Sequence, residues 1–146
     1  MSRCVDLHIH SHKSSDGDHP VSRLVPRARE AGRAAIALTD HDTTAAYPEA
    51  IRLGKEEGVE VVPSIEQTTL FEGREFHLLL PFVDWDSSPL ASLIARVREG
   101  RFLEARERVD RLHDLGFDLT WEEVEAESAP FAPLGVTIAQ VALRKM

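Results

Sequence analysis

Asp6-Leu7-His8-Ile9-His10, running on through Ser11-His12-Lys13-Ser14-Ser15 to Asp16, is the stretch on which the reading of this chain turns. A β-strand repeats every two residues, so Val5, Leu7 and Ile9 fall on one face and Asp6, His8 and His10 on the other. The first face is apolar and is expected to be buried; the second is a row of metal-ligand types. Two imidazoles at i and i+2 reach one ion as a pair, and Asp16 in the following loop can close over the same pocket. A leftover affinity tag would lack the apolar alternation.

Downstream, strands and helices alternate. Pro20 opens a helix in which Val21, Leu24, Val25 and Ala28 recur at helical spacing, with Pro26 as a kink and Gly32 as the stop. Ala35-Ile36-Ala37-Leu38 is an apolar run of the buried parallel-strand kind, and it delivers Thr39-Asp40-His41-Asp42 at its C-terminal end. Thr43 or Thr44 caps the next helix, which runs to about Glu57, tolerates Pro48 in its first turn and stops at Gly58. Val59 to Ile65 is a third apolar, β-branched run and ends in Glu66. Glu72-Gly73 then reads as the turn of a hairpin whose second strand, Glu75 to Leu80, aims His77 back toward Glu66. Strand–helix alternation implies parallel βαβ units, and in barrels of that kind chemistry collects at the C-terminal strand ends.

From Asp86 the character changes. Leu90 to about Leu115 reads as helix, Gly116 breaks it, and Thr120-Trp121-Glu122-Glu123 is a capping box for another. Ser128 to Gly135 is a loop, and Thr137 to Lys145 starts a further amphipathic helix. Arg96, Arg98, Arg101, Arg106, Arg108 and Arg111 are interleaved with Glu99, Glu104, Glu107, Asp110 and Asp114, which marks a solvated mixed-sign face rather than a nucleic-acid patch.

The bulk numbers narrow the function classes. At 146 residues, 42% hydrophobic and 29% charged, the chain is ordinary for a soluble globular protein of one domain. A formal net charge of -8 argues against broad affinity for nucleic acid or acidic membranes, so an anionic substrate must be held locally by metal or a few arginines. The single cysteine, Cys4, excludes an internal disulfide and favours a reducing compartment. No apolar run approaches the roughly 18 to 20 residues of a membrane span, and Met1-Ser2-Arg3-Cys4 does not read as a signal peptide, so a cytoplasmic protein is expected.

Collected, the candidate metal ligands are His8, His10, Asp16, His41, Glu66 and His77, a mixed imidazole and carboxylate set that suits zinc, manganese or iron rather than calcium or magnesium. Six ligands exceed one tetrahedral site, and a carboxylate such as Glu66 can bridge two ions. Ion clusters of this type generate hydroxide near neutral pH and clamp phosphoryl oxygens, which points to hydrolysis of a phosphate ester. Asp40 and Asp42 have a plainer reading as caps, and His12, His19 and His113 one as ordinary polar residues.

On these same residues the sequence resembles a known family. Asp6-Leu7-His8-Ile9-His10-Ser11, Leu38-Thr39-Asp40-His41-Asp42-Thr43, and Ile65-Glu66 followed by Glu72-Gly73-Arg74-Glu75-Phe76-His77-Leu78 are similar to the first motifs of the PHP (polymerase and histidinol phosphatase) domain, in the branch of bacterial stand-alone phosphoesterases. The resemblance implies an α/β fold, a distorted seven-stranded TIM-like β/α barrel. Residues 1–86 would be its N-terminal portion and 87–146 a helical insertion. It implies up to three ions of manganese, iron or zinc: His8, His10 and Glu66 on one, Glu66 and His77 on a second, Asp16 and His41 on a third. The implied activity is metal-dependent hydrolysis of a nucleotide, a phosphorylated small molecule or a short RNA end by metal-bound hydroxide. The family's later histidine and final Asp-x-His pair have no counterpart after His77. With that and a length well short of the roughly 250 residues of a β/α barrel, the chain reads as the front half of such an enzyme, and Gly135-Val136-Thr137-Ile138 in place of the family's Gly-Arg-Pro-His signature removes an expected phosphate contact. An alternative follows: a catalytically weak, metal-binding half-barrel completed by self-association, since open sheet edges pair readily. A metal-dependent amidohydrolase, which also uses a His-x-His strand, is a third reading, against which the Thr-Asp-His-Asp and Ile-Glu motifs stand.

Overall fold

A computed structural model describes residues 4–145; Met1, Ser2, Arg3 and Met146, and with them the reading of the first residues as no signal peptide, lie outside the described residues. Three strands, β1 (Cys4–Ile9), β2 (Arg33–Leu38) and β3 (Glu60–Val61), form a parallel sheet in that order. Helices α1 (Val21–Glu30) and α2 (Tyr47–Glu57) make the two crossovers. β2 is the central strand and is apolar on both faces. Ile36 and Leu38 pack with Val21, Val25 and Ala28 of α1 and with Tyr47 and Ala50 of α2, while Ala35 and Ala37 cluster with Val62. This is the continuous apolar pattern of a parallel strand covered on two sides. Gly54 lets α2 lie directly on the chain that enters β3: a Cβ there would stand 2.7 Å from the Val59 carbonyl oxygen and 2.6 Å from Val61 Cγ2.

β4 (Ser64–Phe71) and β5 (Arg74–Pro81) form a separate antiparallel pair. Their two-residue turn has positive φ at both Glu72 (50°) and Gly73 (73°), the type I′ geometry that matches strand twist. The hairpin read from the sequence is therefore present with its turn in place. Pairing of His41 with Glu66 as an isolated parallel bridge carries the end of β2 across to β4.

By packing, the chain separates into two compact units, Met1–Ile94 and Ala95–Met146. The division falls inside α3 (Ser88–Asp114). The second unit also contains α4 (Trp121–Ser128) and α5 (Gly135–Leu143), and its core is Ala105, Val109, Leu119, Val124, Ile138 and Val141. The capping box is formed as read: the Glu123 N–H donates to Thr120 Oγ1 (3.4 Å) and the Thr120 N–H to Glu123 Oε2 (3.0 Å). Among the described residues no helix is long and apolar enough to cross a membrane.

Three local expectations are corrected. The apolar face of β1 is only partly buried: Ile9 packs on the core of α1, β2 and α2, while Val5 at 55% and Leu7 at 47% exposure are open. Neither Thr43 nor Thr44 caps α2. Thr44 Oγ1 donates to the Trp85 carbonyl, Thr43 Oγ1 accepts from the Ala45 N–H, and the helix begins at Tyr47 after an uncapped Ala46. The run from Val59 to Ile65 is two strands, broken around Pro63, which has no N–H to give a ladder. Glu66 therefore lies inside β4, not at a strand end.

Tyr47 ties these pieces together. Its buried hydroxyl donates to the Leu38 carbonyl, accepts from the Ser64 N–H and lies 3.1 Å from the Val62 carbonyl oxygen. Burial is the main reason its pKa is pushed up to about 12, so the proton stays in place through the neutral range. Tyr47→Phe leaves these backbone groups short of a partner and should cost about 1 to 3 kcal/mol. A urea unfolding midpoint unchanged from wild type would contradict that role.

Candidate metal centre

The six candidate ligands are delivered by five pieces of the first unit. β1 presents His8, and His10, the residue that follows its end, continues the two-residue alternation. The end of β2 presents His41, β4 presents Glu66, and β5 presents His77, whose cross-strand partner is Thr68. Asp16 comes from the loop after β1, folded by Ser14 N–H to Ser11 carbonyl (3.1 Å) and Gly17 N–H to Ser14 carbonyl (3.3 Å) bonds. Gly17 presses on the Ser11 carbonyl, where an added Cβ would lie 2.0 Å from the oxygen. That contact permits only glycine and brings Asp16 back over β1.

The six side chains converge. His8 Nε2 and His10 Nε2 are 3.0 Å apart, and they lie 2.9 Å and 3.0 Å from Glu66 Oε2. A ring nitrogen has a single in-plane direction for its proton or lone pair, so three hydrogen bonds cannot be satisfied around such a triangle. The spacing is that of neighbouring ligands around one ion, since ligands about 2.1 Å from a metal and at right angles are about 3 Å apart. On the other Glu66 oxygen, His77 Nδ1 lies at 3.1 Å and His41 Nδ1 at 3.9 Å. His41 Nε2 is 3.1 Å from Asp16 Oδ2, and His10 Nδ1 is 3.1 Å from Asp16 Oδ1.

Three triads follow, each with ligand atoms within 4.8 Å of one another: His8, His10 and Glu66; His10, Asp16 and His41; His41, Glu66 and His77. Glu66 joins the first and third, as the bridging reading requires, and His10 and His41 each serve two triads. Buried His41 Nδ1 has no hydrogen-bond partner, and a buried polar atom left so is costly unless something such as an ion occupies its lone pair. The donor set therefore fits divalent ions. His12, His19 and His113 belong to none of the triads.

The field at the centre favours charge. Burial raises the pKa of Glu66, but the His8 hydrogen bond and the nearby His41 and His10 outweigh it and leave the carboxyl below its ordinary range. Asp16 is likewise held low: burial opposes, while the Ser14 hydroxyl bond, His41 and His10 prevail. Ionised carboxylates among imidazoles are the state in which a cation is bound.

Several supporting residues escaped the sequence reading. Asp40, buried, accepts from the Ser11 N–H (2.6 Å) and hydroxyl (2.7 Å), fastening the residue after His10 to the residue before His41. Asp42 accepts from Gln67 Nε2 (2.6 Å), the Thr68 N–H (2.8 Å) and the Thr68 hydroxyl (2.7 Å). Ser14 Oγ donates to Asp16 Oδ1 (2.7 Å), and Glu75 Oε1 lies 3.1 Å from His77 Nε2, turning His77 Nδ1 toward Glu66. The available signal was acids flanking a strand-end histidine, which reads equally as helix capping.

Comparison with known proteins gives a consistent result. The PHP domain family matches residues 6–118. A phosphoribosyl 1,2-cyclic phosphate 1,2-diphosphodiesterase from Eggerthella lenta is 36% identical over 119 residues, covering 80% of this chain and 45% of that protein. A 5'-3' exoribonuclease from Haemophilus influenzae is 33% identical over 126 residues, covering 86% of this chain and 46% of that protein. The crystal structure of a candidate metal-dependent phosphoesterase from Bifidobacterium adolescentis superposes with a TM-score of 0.76 at 28% identity, covering 99% of this chain and 51% of that one. The chain thus spans about half the length of the proteins it matches.

Because Glu66 and Asp16 titrate below their ordinary values of 4.5 and 3.8, the stability they contribute is fully present above those values and is lost as pH falls through the lowered folded values. In metal-free protein, Glu66→Gln should flatten the acid-side decline of the unfolding midpoint. Parallel curves for the variant and wild type would count against this electrostatic picture.

Proposed function

The chain belongs to the PHP domain family, and from that premise we propose that it is a metal-dependent hydrolase of phosphate esters. The observation that supports the proposal is that Glu66 belongs to two of the ligand triads, with His8 and His10 beside one of its carboxylate oxygens and His77 beside the other. Ions held there supply hydroxide at neutral pH and neutralise charge on a phosphoryl group. His8 and His10 would offer their Nε2 atoms to the first position and His77 and His41 their Nδ1 atoms to the second, while the third triad, Asp16 with His10 and His41, draws on the same two rings. A neutral imidazole has one lone pair, so His10 and His41 would each ligate in one position only and donate the opposite N–H to Asp16. Glu75 would fix the His77 ring, and Ser14 the Asp16 carboxylate, so the ligands are oriented before an ion arrives.

The finer reading is that residues 1–86 contribute strands to a distorted seven-stranded β/α barrel and residues 87–146 are a helical insertion. The ions would be manganese, iron or zinc, the substrate a nucleotide, a phosphorylated small molecule or a short RNA end, and the setting cytoplasmic. The relatives' names, a cyclic-phosphate diesterase and an exoribonuclease, support phosphate esters as the substrate class.

A second reading has its own support: a metal-binding unit whose site is completed by another copy. β1 and β5 each pair on one side only, and Val5, Leu7, Phe76, Leu78, Leu79 and Leu80 are exposed on them. Apolar edges of this kind favour association.

Phosphate release from nucleoside monophosphates and hydrolysis of bis(p-nitrophenyl) phosphate, each with added Mn²⁺, test the first reading. Turnover should vanish on chelation and fall by about 100-fold or more in Glu66→Gln. Activity indifferent to chelator would refute it. Light scattering across a concentration series addresses the second reading, which expects dimers or larger species; a monomer at every concentration contradicts it.

A further inference from the structure

His41 is held by little regular structure. It lies beyond the end of β2 and is joined to Glu66 by a single parallel bridge, whose backbone bonds are Glu66 N–H to Asp40 carbonyl (3.4 Å) and Asp42 N–H to Glu66 carbonyl (3.0 Å). Two neutral hydrogen bonds, one of them long, contribute about 1 kcal/mol each. That is little to fix an imidazole to the roughly 0.5 Å that a ligand set demands. The next residue, Asp42, holds φ at 51°, a left-handed conformation that few non-glycine residues adopt without local side-chain bonding.

We propose that Asp42 is a positioning residue that sets the His41–Glu66 spacing by clamping Gln67 and Thr68. The clamp joins the residue after His41 to the two residues after Glu66. It sets one carboxylate against an amide, a backbone N–H and a hydroxyl, three bonds of 2.6, 2.8 and 2.7 Å beside the two of the bridge. Asp42 belongs to none of the three ligand triads, so its action on a cation runs through His41 and Glu66. With the clamp in place, His41 Nδ1 stays buried and aimed at the Glu66 side of the centre. This inference rests on the metal-centre reading above.

Calorimetric titration of the full chain with Mn²⁺ alone, beside urea unfolding of the metal-free variants, provides the test. Asp42→Ala should weaken Mn²⁺ binding by about 10- to 100-fold, the usual effect of removing a residue that orients a ligand. Asp42→Asn should stay within about threefold of wild type, since its amide oxygen keeps both N–H donors and the Thr68 hydroxyl can turn to accept from its amide nitrogen. Thr68→Val should weaken binding by about fivefold, the loss of one bond, with no further loss when combined with Asp42→Ala. Should Asp42→Ala not fold, Thr68→Val carries the test alone. Wild-type affinity in both Asp42→Ala and Thr68→Val, even with a lowered urea midpoint, overturns the proposal. Equal losses in the Asn and Ala variants overturn it too, by making the charge itself the ligand. A wild-type chain that takes up no Mn²⁺ overturns the metal reading and this inference with it, whereas uptake by wild type and Asp42→Ala alike overturns only the latter.

Discussion

One buried carboxylate, Glu66, faced by ring nitrogens from His8, His10, His41 and His77, is the constraint the first unit is arranged to satisfy. An anion taken out of water needs compensating charge, and imidazoles brought together need something to accept their nitrogens. Each half of the arrangement answers the other, and a divalent cation answers both. The rings step around the carboxylate with centroids 4.7 to 5.0 Å apart, so no ligand can shift without pressing on the next.

The fold supplies this geometry through ends and edges rather than through one rigid element. A parallel sheet brings β1 and β2 to the same side with their C-terminal ends adjacent, where Thr39 N–H still bonds to Ile9 carbonyl at 2.8 Å. Beyond that point regular pairing stops, and carboxylates take over: Asp40 fastens β1 to β2, and Asp42 fastens β2 to β4. Tyr47 does similar work one layer below, where its hydroxyl meets backbone from β2 and from the chain joining β3 to β4. Side chains at these junctions replace the ladder bonds that the sheet has run out of.

Much of this was legible in the sequence, because strand periodicity is a strong local signal. The His-x-His alternation brought two imidazoles together at the end of β1, and the Glu72-Gly73 turn set the register that brings His77 to Glu66. All six ligand candidates meet in space. What the sequence concealed depends on long-range packing. Thr43 and Thr44 look like caps until Trp85, 41 residues after Thr44, presents a carbonyl to its hydroxyl. Val5 and Leu7 of β1 look like core, yet only Ile9 of that face packs against it. Asp40 and Asp42 look like turn residues, and only their partners, 25 to 29 positions away, reveal what they hold.

The most direct test of the central claim is anomalous diffraction from crystals grown with Mn²⁺, recorded with X-rays on the manganese absorption edge. Peaks within coordination distance of both Glu66 carboxylate oxygens, one beside His8 and His10 and another beside His77, are the predicted result. An ordered site in which Glu66 lies more than about 4 Å from every anomalous peak would contradict the account.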